Sequence, residues 1–190
     1  MSIETNSMDR LQHDPQRRNF ALLNAVGGVL VLGTYGWGAI SASTVMTALW
    51  GGVPEAIRPL YTVNMFLSAA GYFLFAPHIL LRVETERQDI LGRFGYSIFG
   101  RFMFLVLIPS ACWLPLTSMM LASPSPWLWF IIRLDLALVA IGSLGLLASL
   151  WTLRPPRAPG HVAAIVGLLP FCLQTVVLDA LVWPAYFTAS

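Results

Sequence analysis

The chain has no lysine: all eleven basic residues among its 190 are arginines. A Schiff-base pigment or pump needs a lysine amine, so that chemistry is excluded. Charge of either sign is scarce. Charged residues make up 11% of the chain, against roughly 25% in soluble domains. The net charge of +2 is too small for a nucleic-acid binder. There are two cysteines, Cys112 and Cys172, both in apolar stretches, where thiols act as small packing groups rather than as a disulfide framework. No HExxH, glycine-rich phosphate loop or nucleophile elbow occurs in the sequence.

What is present is apolar length. Five stretches cover residues 19–42, 60–81, 98–122, 127–151 and 162–186. A helix rises about 1.5 Å per residue, so about 20 apolar residues cross the ~30 Å hydrocarbon layer. The fold expected is all-α, a single five-transmembrane-helix bundle over residues 19–187 behind a polar tail, residues 1–18. The first apolar run is longer than the core of a signal peptide and is expected to be a retained helix.

Arginine placement sets the expected orientation. Arg10, Arg17 and Arg18 precede the first span. Arg82, Arg87, Arg93 and Arg101 surround the second loop, and Arg154 and Arg157 lie in the fourth. The other side has only Arg58. The positive-inside rule predicts a cytoplasmic N-terminus and an external C-terminus, in a bacterial inner membrane. In the second loop, Arg82/Glu86 and Asp89/Arg93 at i,i+4 spacing predict a helical extension. Pro155, Pro156 and Pro159 make the fourth loop a stiff linker, and Pro124 and Pro126 make the third a tight turn. The first loop is longer and rather apolar, with Val45, Met46, Leu49, Trp50 and Val53, and is placed to cap a cavity.

Within the spans, Pro77, Pro109, Pro115 and Pro170 interrupt helix hydrogen bonding. Gly142, Gly145 and Ser149 share one face of the fourth span, and Ala163 and Gly167 one face of the fifth, which suits close helix packing. Intramembrane charge is costly and normally faces the protein interior. Arg133 lies six residues from Trp127 and Asp179 seven from Tyr186, matching depths on consecutive helices. A buried Arg133–Asp179 ion pair is therefore expected, either fixing helix register or flooring a cavity. Asp135, two residues from Arg133, should face another neighbour.

A ligand-binding set follows from polar and aromatic residues in the same half: Trp37, Trp50, Asn64, Trp113, Asp135 and Gln174. Aromatic walls with a few polar groups are the usual form of a small-molecule site. Trp127, Trp151 and Trp183 read as interfacial belt residues. His78 and His161 lie near the inner ends of their helices, where headgroup anchoring competes with haem ligation. No metal site is assigned.

Arg58-Pro59-Leu60-Tyr61 resembles the start of the second helix in the TspO family of tryptophan-rich sensory or translocator proteins. Leu134-Asp135-Leu136 through Trp151 is similar to that family's fourth helix, and Leu169-Pro170-Phe171 with Asp179 and Trp183 to its last. The first loop departs from the family's lysine–proline–tryptophan and double-proline run, keeping Trp50-Gly51-Gly52-Val53-Pro54. The resemblance implies a sensor or receptor for a tetrapyrrole, sterol or similar lipophile under the first loop, with a porphyrin or lipid as the bound molecule. Membrane lipids, a homodimer mate or a larger membrane complex are the partners in view. Two alternatives stay open: an accessory or assembly subunit of such a complex, and a small membrane enzyme acting on an isoprenoid or sterol with Asp135 or Asp179 as acid or base.

Overall fold

The structure is a computed structural model that describes residues 14–41, 47–86, 89–153 and 159–187. Arg10, Arg87, Arg154 and Arg157 of the orientation argument, Val45 and Met46 of the first loop, and Pro155 and Pro156 lie outside the described residues. The described residues form five rods long and apolar enough to cross a membrane. They are α1 (Pro15–Ser41), α2 (Arg58–Arg82), α3 (Ser97–Ala122), α4 (Pro126–Thr152) and a composite fifth. The fifth joins α5 (Pro159–Cys172), a π-helical segment (Leu173–Val182) and α6 (Trp183–Tyr186). No strand occurs among the described residues; one antiparallel bridge joins Ile90 and Phe94. The chain is thus all-α, with the composition and helix length of an integral membrane protein.

α1 starts earlier than its apolar run suggests. Asp14 accepts the backbone N–H of Gln16 (2.9 Å) and of Arg17 (3.3 Å) through Oδ1. This is an N-cap with proline at the first helical position, a strong helix start. The polar first turn, placed in the tail by hydropathy, is therefore helix. Arg17 is 7% exposed and donates to the carbonyls of Leu80 and Val83, the latter at 2.8 Å. It stops α2 by occupying carbonyls that have no further helical donor.

The second loop is not the helical extension expected. α2 ends at Arg82, and Val83 is extended. The chain then folds back through a tight turn, with Gly92 at φ 78° and Ile90 fully buried. Burial of Ile90 and Tyr96 outweighs two weak surface pairs.

α2 packs along α5, and α3 along α4. α1 rests on α3, meets α2 at few points, chiefly through Arg17 and the Tyr72 hydroxyl that donates to Asn24 Oδ1 (2.6 Å), and is the least buried of the rods. Lipid supplies no hydrophobic drive between helices, so close approach decides which faces meet. Gly71 and Gly167 provide it between α2 and α5: a Cβ on Gly71 would stand 2.1 Å from the Gly167 carbonyl oxygen. Gly145 admits the Phe102 ring between α3 and α4.

Two apolar clusters result. One, around Phe20, Ile79, Tyr96, Phe99 and Leu150, closes the end where α1 begins. The other, around Val53, Met120, Ile132, Trp183 and Phe187, closes the end of the first loop.

Candidate functional site

Between the clusters, in the first-loop half, lies a cavity of about 260 Å³. Every rod contributes: Tyr35 from α1, Tyr61, Thr62 and Met65 from α2, Ser110 and Trp113 from α3, and Leu136 and Val139 from α4. Gln174, Thr175 and Asp179 come from the π-helical segment, Trp183 from α6, and Leu49 and Trp50 from the first loop. Tyr35 and Met65, which line the cavity, are themselves exposed. With α1 and α2 scarcely in contact, the cavity reaches the side of the bundle between them.

The π-helical segment begins after Pro170. Proline lacks an N–H, and a shift to i→i+5 bonding widens the coil. α2 supports the altered backbone with donors at i, i+3 and i+7. Asn64 Nδ2 (3.0 Å) and Ser68 Oγ (2.9 Å) both donate to the Pro170 carbonyl. Tyr61 Oη donates to the Leu178 carbonyl at 2.8 Å. A polar chain then runs into the cavity. Asn64 Nδ2 donates to Gln174 Oε1 (3.0 Å), and Gln174 Nε2 donates to Asp179 Oδ1 (2.8 Å). Among the described residues nothing donates to the other Asp179 oxygen.

Trp113 stacks on Tyr35 (centroids 6.4 Å) and meets Trp183 edge-on (5.7 Å). Its indole N–H is buried without an acceptor among the described residues. A buried orphan donor at a cavity wall calls for a water or ligand acceptor.

The first loop closes one end and is tied down. Trp183 Nε1 donates to the Leu49 carbonyl (2.8 Å), and Gly52 N–H to the Tyr186 carbonyl (2.9 Å). Gly51 has φ 51°, a backbone state that favours glycine. Trp50 packs edge-on against Tyr61 and under the Arg58 guanidinium, which also donates to the Val53 carbonyl (3.0 Å).

Trp50, Trp113 and Gln174 of the expected set thus line the cavity, and three others do not. Trp37 is 46% exposed and faces away; two residues along a helix is about half a turn, so Tyr35 takes its place. Asn64 is buried behind Gln174 and positions it. Asp135 is 7% exposed and lies near Cys112 of α3, while its neighbour Leu136 faces the cavity. Asp135 Oδ2 has no hydrogen-bond partner among the described residues.

The Arg133–Asp179 ion pair is not formed. The salt bridges among the described residues are Arg17–Asp14 and Arg58–Glu55. Arg133 is exposed, and Asp179 is held by Gln174. Equal depth did not imply equal azimuth, and an arginine about 10 Å from a helix end can extend to headgroup level.

Trp183 is no belt residue: it is 4% exposed and anchors the first loop. Trp127 and Trp151 are largely exposed, as belt residues would be. His78 and His161 meet each other, Nε2 to Nδ1, at 3.4 Å. Two metal–nitrogen bonds of about 2.0–2.1 Å in line would need about 4 Å, so this contact leaves no room for an axially ligated haem between the rings.

Tyr35, Tyr61, Ser110 and Thr175 were missed as lining residues. Tyr61 carried a usable signal: Tyr61, Asn64, Ser68 and Gly71 mark one polar-to-small face of α2, all four buried. No family model, curated protein or solved structure matches the chain.

Proposed function

We propose that the chain is a TspO-like membrane protein that binds a lipophilic ligand in the cavity under the first loop. The supporting observation is a cavity with aromatic walls, a carboxylate with one oxygen unengaged, and an indole N–H without a partner. Apolar and aromatic faces give contact area, and a few fixed polar groups orient one end of the ligand.

Size discriminates among tetrapyrrole, sterol and isoprenoid. At about 260 Å³ the cavity falls below the ~300 Å³ at which ligand pockets usually begin. A ligand must leave part of itself between α1 and α2, in the lipid. A chain-like isoprenoid with a hydroxyl or other polar head does this with least loss. A rigid tetrapyrrole does it worst. The arginine distribution supports reading the N-terminus as cytoplasmic, with the cavity then in the outer half of a bacterial inner membrane. We read the activity as binding or sensing rather than catalysis.

Purification in mild detergent followed by mass spectrometry of bound lipophiles tests the reading. A stoichiometric chain-like lipid with one polar end is expected. Recovery of bulk membrane lipid alone, at wild-type and cavity-blocked levels alike, would contradict it.

One observation favours an accessory-subunit role instead. α1 is little buried, and Cβ atoms added at Gly28, Gly33 and Gly36 would meet nothing within 4 Å. Another helix could approach that face closely. A stoichiometric partner that survives purification would shift the balance to this reading.

A further inference from the structure

A second concavity lies at the opposite end, between α1 and α3, with a volume of about 560 Å³. We propose that it holds an anionic phospholipid, with Arg101 binding the phosphate. α1 and α3 both begin at this end, so their polar first turns stand side by side. Gln16 and Asn19 of α1 and Ser97 and Arg101 of α3 line the mouth. Arg101 and Asn19 are each the fifth residue of their helix, about 6 Å below its start. That is headgroup depth. Leu23 and Phe104, about a turn deeper, offer apolar wall for an acyl chain.

Charge decides the occupant. Arg101 has no hydrogen-bond or ion-pair partner among the described residues, whereas Arg17 and Arg58 donate to backbone carbonyls. Among the described residues no carboxylate lines the groove, so none of them balances the cation or receives a choline or ethanolamine ammonium. A guanidinium with neighbouring neutral donors suits a phosphate, and an arginine near the surface draws anionic lipid. A lipid in the groove would also add contact between α1 and α3, which already pack together.

Gly100 permits a clean test. It lines the groove, and a Cβ there meets nothing within 4 Å, so a leucine side chain starts in open space beside the proposed lipid. The experiment uses the full chain, delipidated in neutral detergent. Phosphatidylglycerol, phosphatidylcholine or inorganic phosphate is added, and retained lipid (native mass spectrometry) and thermal stability are read. Phosphatidylglycerol should be retained and should raise the melting temperature, with phosphatidylcholine and phosphate doing neither. Arg101→Gln should weaken retention about fivefold, the loss of one near-surface arginine. Gly100→Leu should abolish it with Arg101 still present, and Arg101→Lys should keep most of it. Both sites are open, so all three variants should melt as wild type without lipid. Equal retention of the two lipids, stabilisation by phosphate alone, or unchanged retention in both Arg101→Gln and Gly100→Leu would overturn the proposal. None of these outcomes bears on the cavity beneath the first loop.

Discussion

Gln174 is fixed in one orientation because both ends of its amide are used. Oε1 accepts from Asn64, and Nε2 donates to Asp179. An amide flip would oppose like groups at both contacts. Asp179→Asn keeps an oxygen for Gln174 and should leave the melting temperature nearly unchanged. Asp179→Leu leaves the half-buried Gln174 donor without its acceptor and should cost about 1 kcal/mol, read by thermal unfolding in detergent. Equal melting of the two variants would show that the chain contributes nothing. Trp113→Phe removes an N–H that has no acceptor together with ring area packed on Tyr35 and Trp183, opposing effects that should leave the melting temperature little changed while affinity for a hydroxyl-bearing ligand falls about tenfold. A fall in stability with no fall in affinity would assign Trp113 to packing alone. At this scale the sequence was half legible. Residue type and depth singled out Trp50, Trp113 and Gln174. Depth says nothing about azimuth, and so Trp37 and Asp135 were placed in the cavity, and Arg133 against Asp179, when each faces elsewhere.

Helix starts and close approaches govern the elements. The Asp14 carboxyl is held below its usual range. Partial burial pushes it up, but hydrogen bonds from Thr85 and from the Arg17 and Gln16 backbone, with the Arg17 charge, outweigh that. A depressed folded pKa stabilises fully above the unfolded value of ~3.9, and the gain is lost as pH falls through the folded value. The cap should therefore hold at neutral pH and weaken only in acid below about pH 4. Asp14→Asn should erase that acid dependence; an unchanged acid profile of α1 hydrogen exchange in this variant would contradict the assignment. Gly71→Ala should separate α2 from α5 and cost about 1–3 kcal/mol or more, since the added carbon meets backbone that cannot rotate away. A neutral thermal shift would show that the two helices are not held at this contact. Element existence was readable from apolar length alone. The start of α1 was not, because the Asp14-Pro15 cap is a signal of two residues outside any apolar run. The π-helical segment was not either: Pro170 announces a lost hydrogen bond, but the donors on α2 decide how the backbone answers.

The whole molecule is a five-rod bundle, and α1 and α2, which meet at few points, both border the cavity under the first loop. Lipid as solvent explains the exposed Leu32, Phe73 and Leu181, which water would not tolerate in such number. Hydropathy made the bundle legible, because every rod must be long and apolar. It left the order of neighbours open, because small-residue contacts rather than apolarity choose them. The central claim is that a lipophile occupies this cavity. It is tested most directly by titrating the protein in mild detergent with an isoprenoid alcohol, a sterol and a porphyrin while following tryptophan fluorescence, in wild type and in Ser110→Leu. Ser110 lines the cavity and makes none of the hydrogen bonds that anchor the first loop, so leucine there takes up cavity space and leaves those bonds their groups. The account predicts saturable quenching by the isoprenoid in wild type, weakened at least about tenfold in the variant at an unchanged melting temperature. No saturable quenching by any of the three in wild type, or equal quenching in both proteins, would contradict it.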